Sequence, residues 1–239
     1  MSLVLQDPFP FSISPNFWQA LPYQQRYTEG VSTNTKKLIV IVPGSKTKTV
    51  SWPFIGPLLK RFFEQYGVQD VQGEDDMWYE PIRAAFIATG ADVMIFEWSG
   101  GISPFAVRKA ARELRGQLHK HADKEIILFG KSLGGTVTEI VARDPQLSIT
   151  RVVSVATPHF MYKHPLPSSI ETINIYSPAD DYLKFANRFL YFGLGRMSVS
   201  NARNISIPNL RHSDFDHNVK VEYGGKTMPL FNFYRELLV

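Results

Sequence analysis

The sequence contains no cysteine. Disulfides, thiolate nucleophiles and thiolate metal sites are therefore excluded. It also lacks any apolar run approaching the ~18 to 20 residues that span a bilayer as a helix, so no integral membrane segment is expected. The opening stretch, Met1-Ser-Leu-Val-Leu-Gln-Asp-Pro-Phe-Pro10, has neither a basic n-region nor a long apolar core. No signal peptide is read there, and a cytoplasmic location is expected. Internal repeats, low-complexity tracts and dividing linkers are missing too. At 239 residues the chain is long enough for one well-buried domain and short for two, so a single domain over 1–239 is expected.

Charge of one sign is in modest excess, at +4 with a pI near 9.2. The basic residues are scattered as Lys36-Lys37, Lys46 and Lys48, Lys60-Arg61 and Arg108-Lys109 rather than massed in one stripe. No nucleic-acid-binding signature accompanies them, so no nucleic-acid partner is expected.

What the chain does have is a regular alternation of strand and helix signals. Lys36-Lys-Leu-Ile-Val-Ile-Val-Pro43-Gly44 is an apolar run ended by Pro-Gly, which reads as a strand buried on both faces. A helix over 81–90 follows, then a strand over 91–98 stopped by Ser99-Gly-Gly101. Ser103 and Pro104 are an N-cap and first-turn proline for a helix running to Leu118. Further strands are read at 125–129, 149–156, 170–177 and 202–210. Helices are read after Ser132, over 182–192 and over 230–238. The pattern predicts an α/β fold with a mostly parallel central sheet and helices on both faces. Right-handed crossovers then bring Pro43-Gly44, Ser132 and the loop after Ser177 to one sheet edge.

Two stretches stand outside this alternation. Residues 1–35 read as an irregular N-terminal wrap. Residues 45–80 carry a short amphipathic pattern and an acidic, aromatic run, and are the candidate lid or insertion after the first core strand. Its aromatics Trp52, Phe54, Phe62, Phe63, Trp78 and Tyr79 could line an acyl pocket or form only the segment's own core.

The stretch with the most chemistry is Glu125-Ile-Ile-Leu-Phe-Gly130-Lys131-Ser132-Leu133-Gly134-Gly135-Thr136. A strand runs into Gly-x-Ser-x-Gly, and Thr136 to Arg143 reads as a helix. Small residues around the serine permit a strained, tight turn that lifts its hydroxyl clear of the sheet. The helix N-terminus behind it offers N–H groups to a developing negative charge. A Gly-rich phosphate loop is the alternative, but the earlier glycine that the Walker form requires is absent.

This motif resembles the nucleophile elbow of the α/β-hydrolase superfamily, with Ser132 as nucleophile. Val155-Ala-Thr-Pro-His159 is similar to the Thr-Pro-His that follows the next strand in many lipases. The family's chain order is Ser, then Asp or Glu, then His. Pro178-Ala-Asp-Asp-Tyr182 resembles the acid turn of lipase-like members, in a register that favours Asp180 over Asp181, with Asp181 suited to cap the following helix. His-Ser-Asp-Phe at 212–215 resembles the catalytic-histidine segment of acid-lipase-like enzymes, so His212 is the base and His217 its competitor. His119 and His121 lie at a helix end where exposure is the default, and His159 and His164 precede the acid.

The family's oxyanion donors are backbone N–H groups. Here they fall on Leu133 and, after the first strand, on Ser45, with Lys46 the alternative because Pro43-Gly44 replaces the common His-Gly. The cluster His212, Asp214, Asp216, His217 has no metal-ligand spacing, and a bare surface loop accounts for both aspartates. The resemblance covers roughly residues 36–239 and implies ester, thioester or amide hydrolysis through an acyl-enzyme. It implies no metal or organic cofactor, and a small-molecule or lipid ester as partner. A carboxylesterase or small lipase is the leading expectation. A catalytically inactive binding protein and an amidase or peptidase are the alternatives, and the substrate is not selected.

Overall fold

The computed structural model of the chain describes residues 36–44, 79–160, 165–190 and 193–238. The N-terminal wrap and residues 45–78 of the candidate lid, with their aromatics up to Trp78, lie outside the described residues. So do Ser45, Lys46 and His164.

Six parallel strands form the central sheet: β1 (Lys37–Val42), β2 (Asp92–Ile95), β3 (Glu125–Lys131), β4 (Ile149–Val155), β5 (Glu171–Tyr176) and β6 (Arg203–Ser206). Their spatial order is β2-β1-β3-β4-β5-β6. All five pairings are parallel, and β3, the strand that ends at the serine, sits inside the sheet. Placing β3 there follows from its sequence, since Ile126 to Lys131 are buried without interruption on both faces.

The strand pleat sorts alternate side chains into two cores. Ile39, Ile41, Val93, Ile95, Ile127, Phe129, Val153 and Val155 face one layer. That layer contains α1 (Tyr79–Ile87) and α5 (Leu230–Glu236). Leu38, Val40, Val42, Met94, Phe96, Ile126, Leu128 and Val152 face the other. It is covered by α2 (Pro104–Leu118) and α3 (Leu133–Val141). The apolar stripe of α2, Val107, Ala110, Ala111, Leu114 and Leu118, recurs at helical spacing and is buried throughout. Its start is the predicted one: the Ser103 hydroxyl accepts from the Ala106 N–H at 3.2 Å, and proline occupies the first turn. On the opposite face Phe129 meets Phe86 and Tyr234 edge-on, at ring centroid distances of 5.2 and 5.1 Å.

Several elements differ from expectation. The helix predicted over 182–192 is a short α4 (Asp181–Phe185) that continues as a π-helical stretch, Ala186–Leu190. The strand predicted over 202–210 pairs only through Ser206, because β5 offers partners no further than Tyr176. Asn209 then takes φ +64°, a left-handed turn that asparagine tolerates, and redirects the chain. A 3-10 helix over His212–Asp216 and an antiparallel hairpin, β7 (Lys220–Tyr223) and β8 (Lys226–Pro229), follow it. The hairpin turn is Gly224-Gly225 at φ +59° and +76°, the conformation a tight two-residue connection demands. Among the described residues no helix is long and apolar enough to cross a membrane.

Candidate active site

Ser132 lies between the end of β3 and the first residue of α3, with φ +51° and ψ −128°. A non-glycine residue held there is strained, and the surroundings over-determine it. The Ser132 N–H donates to the Val155 carbonyl at 2.8 Å, and the Gly135 N–H donates back to the Ser132 carbonyl at 3.0 Å. The neighbouring glycines are required by close approach. A Cβ on Gly130 would lie 2.6 Å from the Gly135 Cα, and one on Gly134 would lie 2.8 Å from the Val42 carbonyl carbon. The end of β1 presses against the start of α3, so no side chain fits.

That same strand end reaches the serine. A Cβ on Gly44 would stand 2.9 Å from the Ser132 Cβ and 3.3 Å from the Lys131 carbonyl oxygen. The indole N–H of buried Trp98 donates to the Pro43 carbonyl at 2.8 Å and fastens the turn. Leu133, as the first residue of α3, has no carbonyl within the helix to receive its N–H.

Asp180 and His212 come to this point from two further strand ends. The His212 Nδ1–H donates to Asp180 Oδ2 at 2.8 Å, and Nε2 lies 3.1 Å from Ser132 Oγ. Because a carboxylate only accepts, the proton is fixed on Nδ1 and the Nε2 lone pair faces the hydroxyl. Asp180 is fully buried, while His212 keeps 13% of its side-chain surface and Ser132 5% of its residue surface. The imidazole also packs on the Tyr182 ring, centroid to centroid 4.5 Å. Ser132, Asp180 and His212, far apart in sequence, form one continuous hydrogen-bonded chain. Asp181 and His217 do not join it: both are exposed, and Asp181 pairs with Lys184 at 2.9 Å.

The division of labour expected between the two aspartates is corrected. Asp180, not Asp181, caps α4, since its Oδ1 accepts from the Leu183 N–H at 2.8 Å. One carboxylate has two oxygens and serves both acceptor positions. Ser177, a residue sequence reasoning passed over, links the acid turn to the histidine turn. Its Oγ accepts from Ala179 N–H at 3.1 Å and from Leu210 N–H at 3.2 Å.

The reading of Asp214 and Asp216 as bare surface loop is also corrected. Asp214 Oδ2 accepts from the Arg211 N–H at 2.7 Å and closes the start of the 3-10 helix. Asp216 forms an ion pair with Lys131, itself buried. Among the described residues no group of three or more His, Asp or Glu side chains is placed to hold a metal ion.

His159 is buried rather than idle. Its Nδ1–H donates to Glu139 of α3, and its Nε2–H to Asn174 Oδ1 of β5 at 2.9 Å. The amide is oriented by its own donations, to the Met197 carbonyl and to Asn204 Oδ1, both at 2.8 Å. Both ring nitrogens thus face acceptors. Burial opposes the charged form, but the Glu139 carboxylate and the hydrogen bonds to Glu139 and Asn174 prevail, raising the His159 pKa above its ordinary value. Its side chain therefore ties the loop after β4 to α3 and β5. His119, at the end of α2, is exposed and lies 3.3 Å from Asp144.

Solved structures with the same architecture are α/β-hydrolase-fold proteins. The Paleococcus ferrophilus monoacylglycerol lipase superposes with TM-score 0.54 at 12% identity, over 90% of this chain and 98% of that one. A predicted CIB-like hydrolase from Thermoplasma acidophilum gives 0.55 at 12%, over 89% and 88%. An α/β-hydrolase enzyme from the sediment metagenome of the Mar Chica lagoon, Morocco, gives 0.53 at 15%, over 92% and 94%. No family model matches the chain, and no curated protein matches it. The chain has the α/β-hydrolase fold, as its sequence motifs predict.

Proposed function

We propose that this protein is a serine hydrolase that cleaves a carboxylic ester, an esterase or small lipase, with Ser132 as nucleophile, His212 as general base and acid, and Asp180 as the carboxylate that orients His212. The observation that carries this reading is the unbroken chain from Asp180 Oδ2 through the imidazole to Ser132 Oγ, at 2.8 and 3.1 Å. A serine hydroxyl alone is a poor nucleophile, and this arrangement supplies both a base and the right tautomer.

In the reaction Ser132 Oγ attacks the ester carbonyl carbon while its proton passes to His212 Nε2. Asp180 stabilises the resulting imidazolium. The carbonyl oxygen, now negative, is held by the N–H of Leu133 and by that of Ser45, the proposed second donor. Collapse expels the alcohol, which takes the proton from Nε2, and leaves the acyl group on Ser132. Water activated by His212 then attacks the acyl-enzyme, and the acid is released with the serine restored. No step calls for a cofactor. A fold neighbour is a monoacylglycerol lipase, in keeping with an ester substrate.

A fluorophosphonate probe tests the reading without knowledge of the substrate. Labelling of the wild type, lost in Ser132→Ala, is the expected result. A wild type that resists labelling overturns the assignment and leaves a non-catalytic protein of this fold.

A further inference from the structure

Tyr182 is the second residue of α4, and its ring packs on the His212 imidazole. The ring centroids lie 4.5 Å apart, with the planes tilted by 48°. The helix that carries Tyr182 is short, but its start is fastened. Asp180 Oδ1 accepts from the Leu183 N–H at 2.8 Å, and the Asp180 carbonyl accepts from the Lys184 N–H at 3.1 Å. Leu183 is fully buried and anchors the turn from beneath, while Asp181 and Lys184 face solvent. Asp180 and Tyr182, two residues apart, are therefore presented to His212 by one fastened turn.

They reach the imidazole in different ways. The Nδ1–H donates to Asp180 Oδ2 at 2.8 Å, and Nε2 stands 3.1 Å from Ser132 Oγ. Both contacts meet the ring at its edge, because the N–H bond and the lone pair of an imidazole lie in the ring plane. They place the two nitrogens but leave the ring able to tip about the line that joins its partners. A flat group packed on the ring face opposes that tipping, and Tyr182 supplies one. We propose that Tyr182 is a positioning residue for the hydrolysis, its ring holding the His212 imidazole by the face while Asp180 holds it by the edge. The inference rests on the serine-hydrolase reading given above. Proton transfer from Ser132 Oγ to Nε2 depends steeply on alignment, so a ring free to tip lowers turnover without weakening substrate binding.

The test is hydrolysis of p-nitrophenyl butyrate and p-nitrophenyl octanoate by the wild type, Tyr182→Phe and Tyr182→Ala, with thermal unfolding of each. Alanine is the best helix former, so α4 keeps its backbone preference when the ring is removed. Tyr182→Ala should lose kcat about tenfold on both esters, with KM changed by less than about twofold. Tyr182→Phe keeps the ring and should keep wild-type kcat. A residue that only stabilises α4 lowers the unfolding temperature and leaves kcat of the folded enzyme unchanged. A residue that touches the acyl chain changes KM, or changes the ratio between the two esters. Tyr182→Leu takes the place of Tyr182→Ala if the smaller side chain unfolds the protein. A folded variant without the ring that keeps wild-type kcat overturns the inference, as does a loss confined to KM or to one ester. So does a Tyr182→Phe variant that loses as much as Tyr182→Ala. These outcomes leave the hydrolase reading standing, whereas a wild type without Ser132-dependent turnover overturns that reading and this inference with it.

Discussion

Asp180 receives His212 on one carboxylate oxygen, with Nδ1 at 2.8 Å from Oδ2, and spends the other on the first turn of α4. The acid is thus oriented by the same helix start that it caps. Asparagine is as good a cap as aspartate, but it presents an N–H₂ or a neutral oxygen to the imidazole. Asp180→Asn should unfold near the wild-type temperature and lose several orders of magnitude in kcat/KM, through the wrong tautomer. Asp180→Ala should in addition lose about 1 kcal/mol of stability with the cap. Asp181→Asn, which removes an exposed ion pair, should change neither. Denaturation and turnover measured on the three variants separate the two duties of one side chain.

Gly44 tests the contact between the end of β1 and the serine. An added methyl group meets the Ser132 Cβ at 2.9 Å and backbone at 3.3 Å, neither of which is the far end of a flexible side chain. Gly44→Ala should therefore displace Ser132 Oγ from His212 and lower kcat about tenfold or more. Gly116 provides the contrast. It is an exposed glycine inside α2 with nothing within 4 Å of a new Cβ. Gly116→Ala should raise stability by about 0.5 to 1 kcal/mol, with turnover unchanged.

The Glu139–His159 pair predicts how stability depends on pH. Its folded-state His159 pKa is raised above the ordinary value, so the folded protein holds a proton that the unfolded chain releases near pH ~6.5. The stabilisation is complete below the unfolded value and is lost as pH rises through the folded one. Chemical denaturation midpoints should therefore fall as pH is raised across that window. Glu139→Gln should lower the midpoint at acid pH and flatten this part of the profile. An unchanged slope in the variant would assign the pH dependence to other groups.

How much of this was legible in the sequence differs from element to element. The sheet and its two layers follow from apolar runs such as Lys37–Val42 and from helical stripes such as that of α2, because periodicity is written locally. The order Ser132, Asp180, His212 could be read because turn residues and strand ends mark those positions, and resemblance then assigned the residues. The capping duty of Asp180 was missed because a propensity argument gives one role to each residue and overlooks that a carboxylate has two oxygens. The hairpin at Gly224-Gly225 left a turn signal that a search for parallel-sheet units passes over. Lys131–Asp216 and His159–Glu139 left none: both join side chains brought together only by the folded sheet edge, and a charged residue in sequence reads first as a solvated one. Only burial, visible in the fold, turns these charges into structure.

The most direct test of the central claim is hydrolysis of a short-chain and a long-chain p-nitrophenyl ester by the wild type and Ser132→Ala at matched concentration, with circular dichroism confirming that both are folded. Turnover by the wild type that disappears in a folded Ser132→Ala is the predicted result, and the ratio of the two esters then begins to divide esterase from lipase. Equal turnover by both proteins, or none by either, would contradict the assignment of Ser132 as the nucleophile of an ester hydrolase.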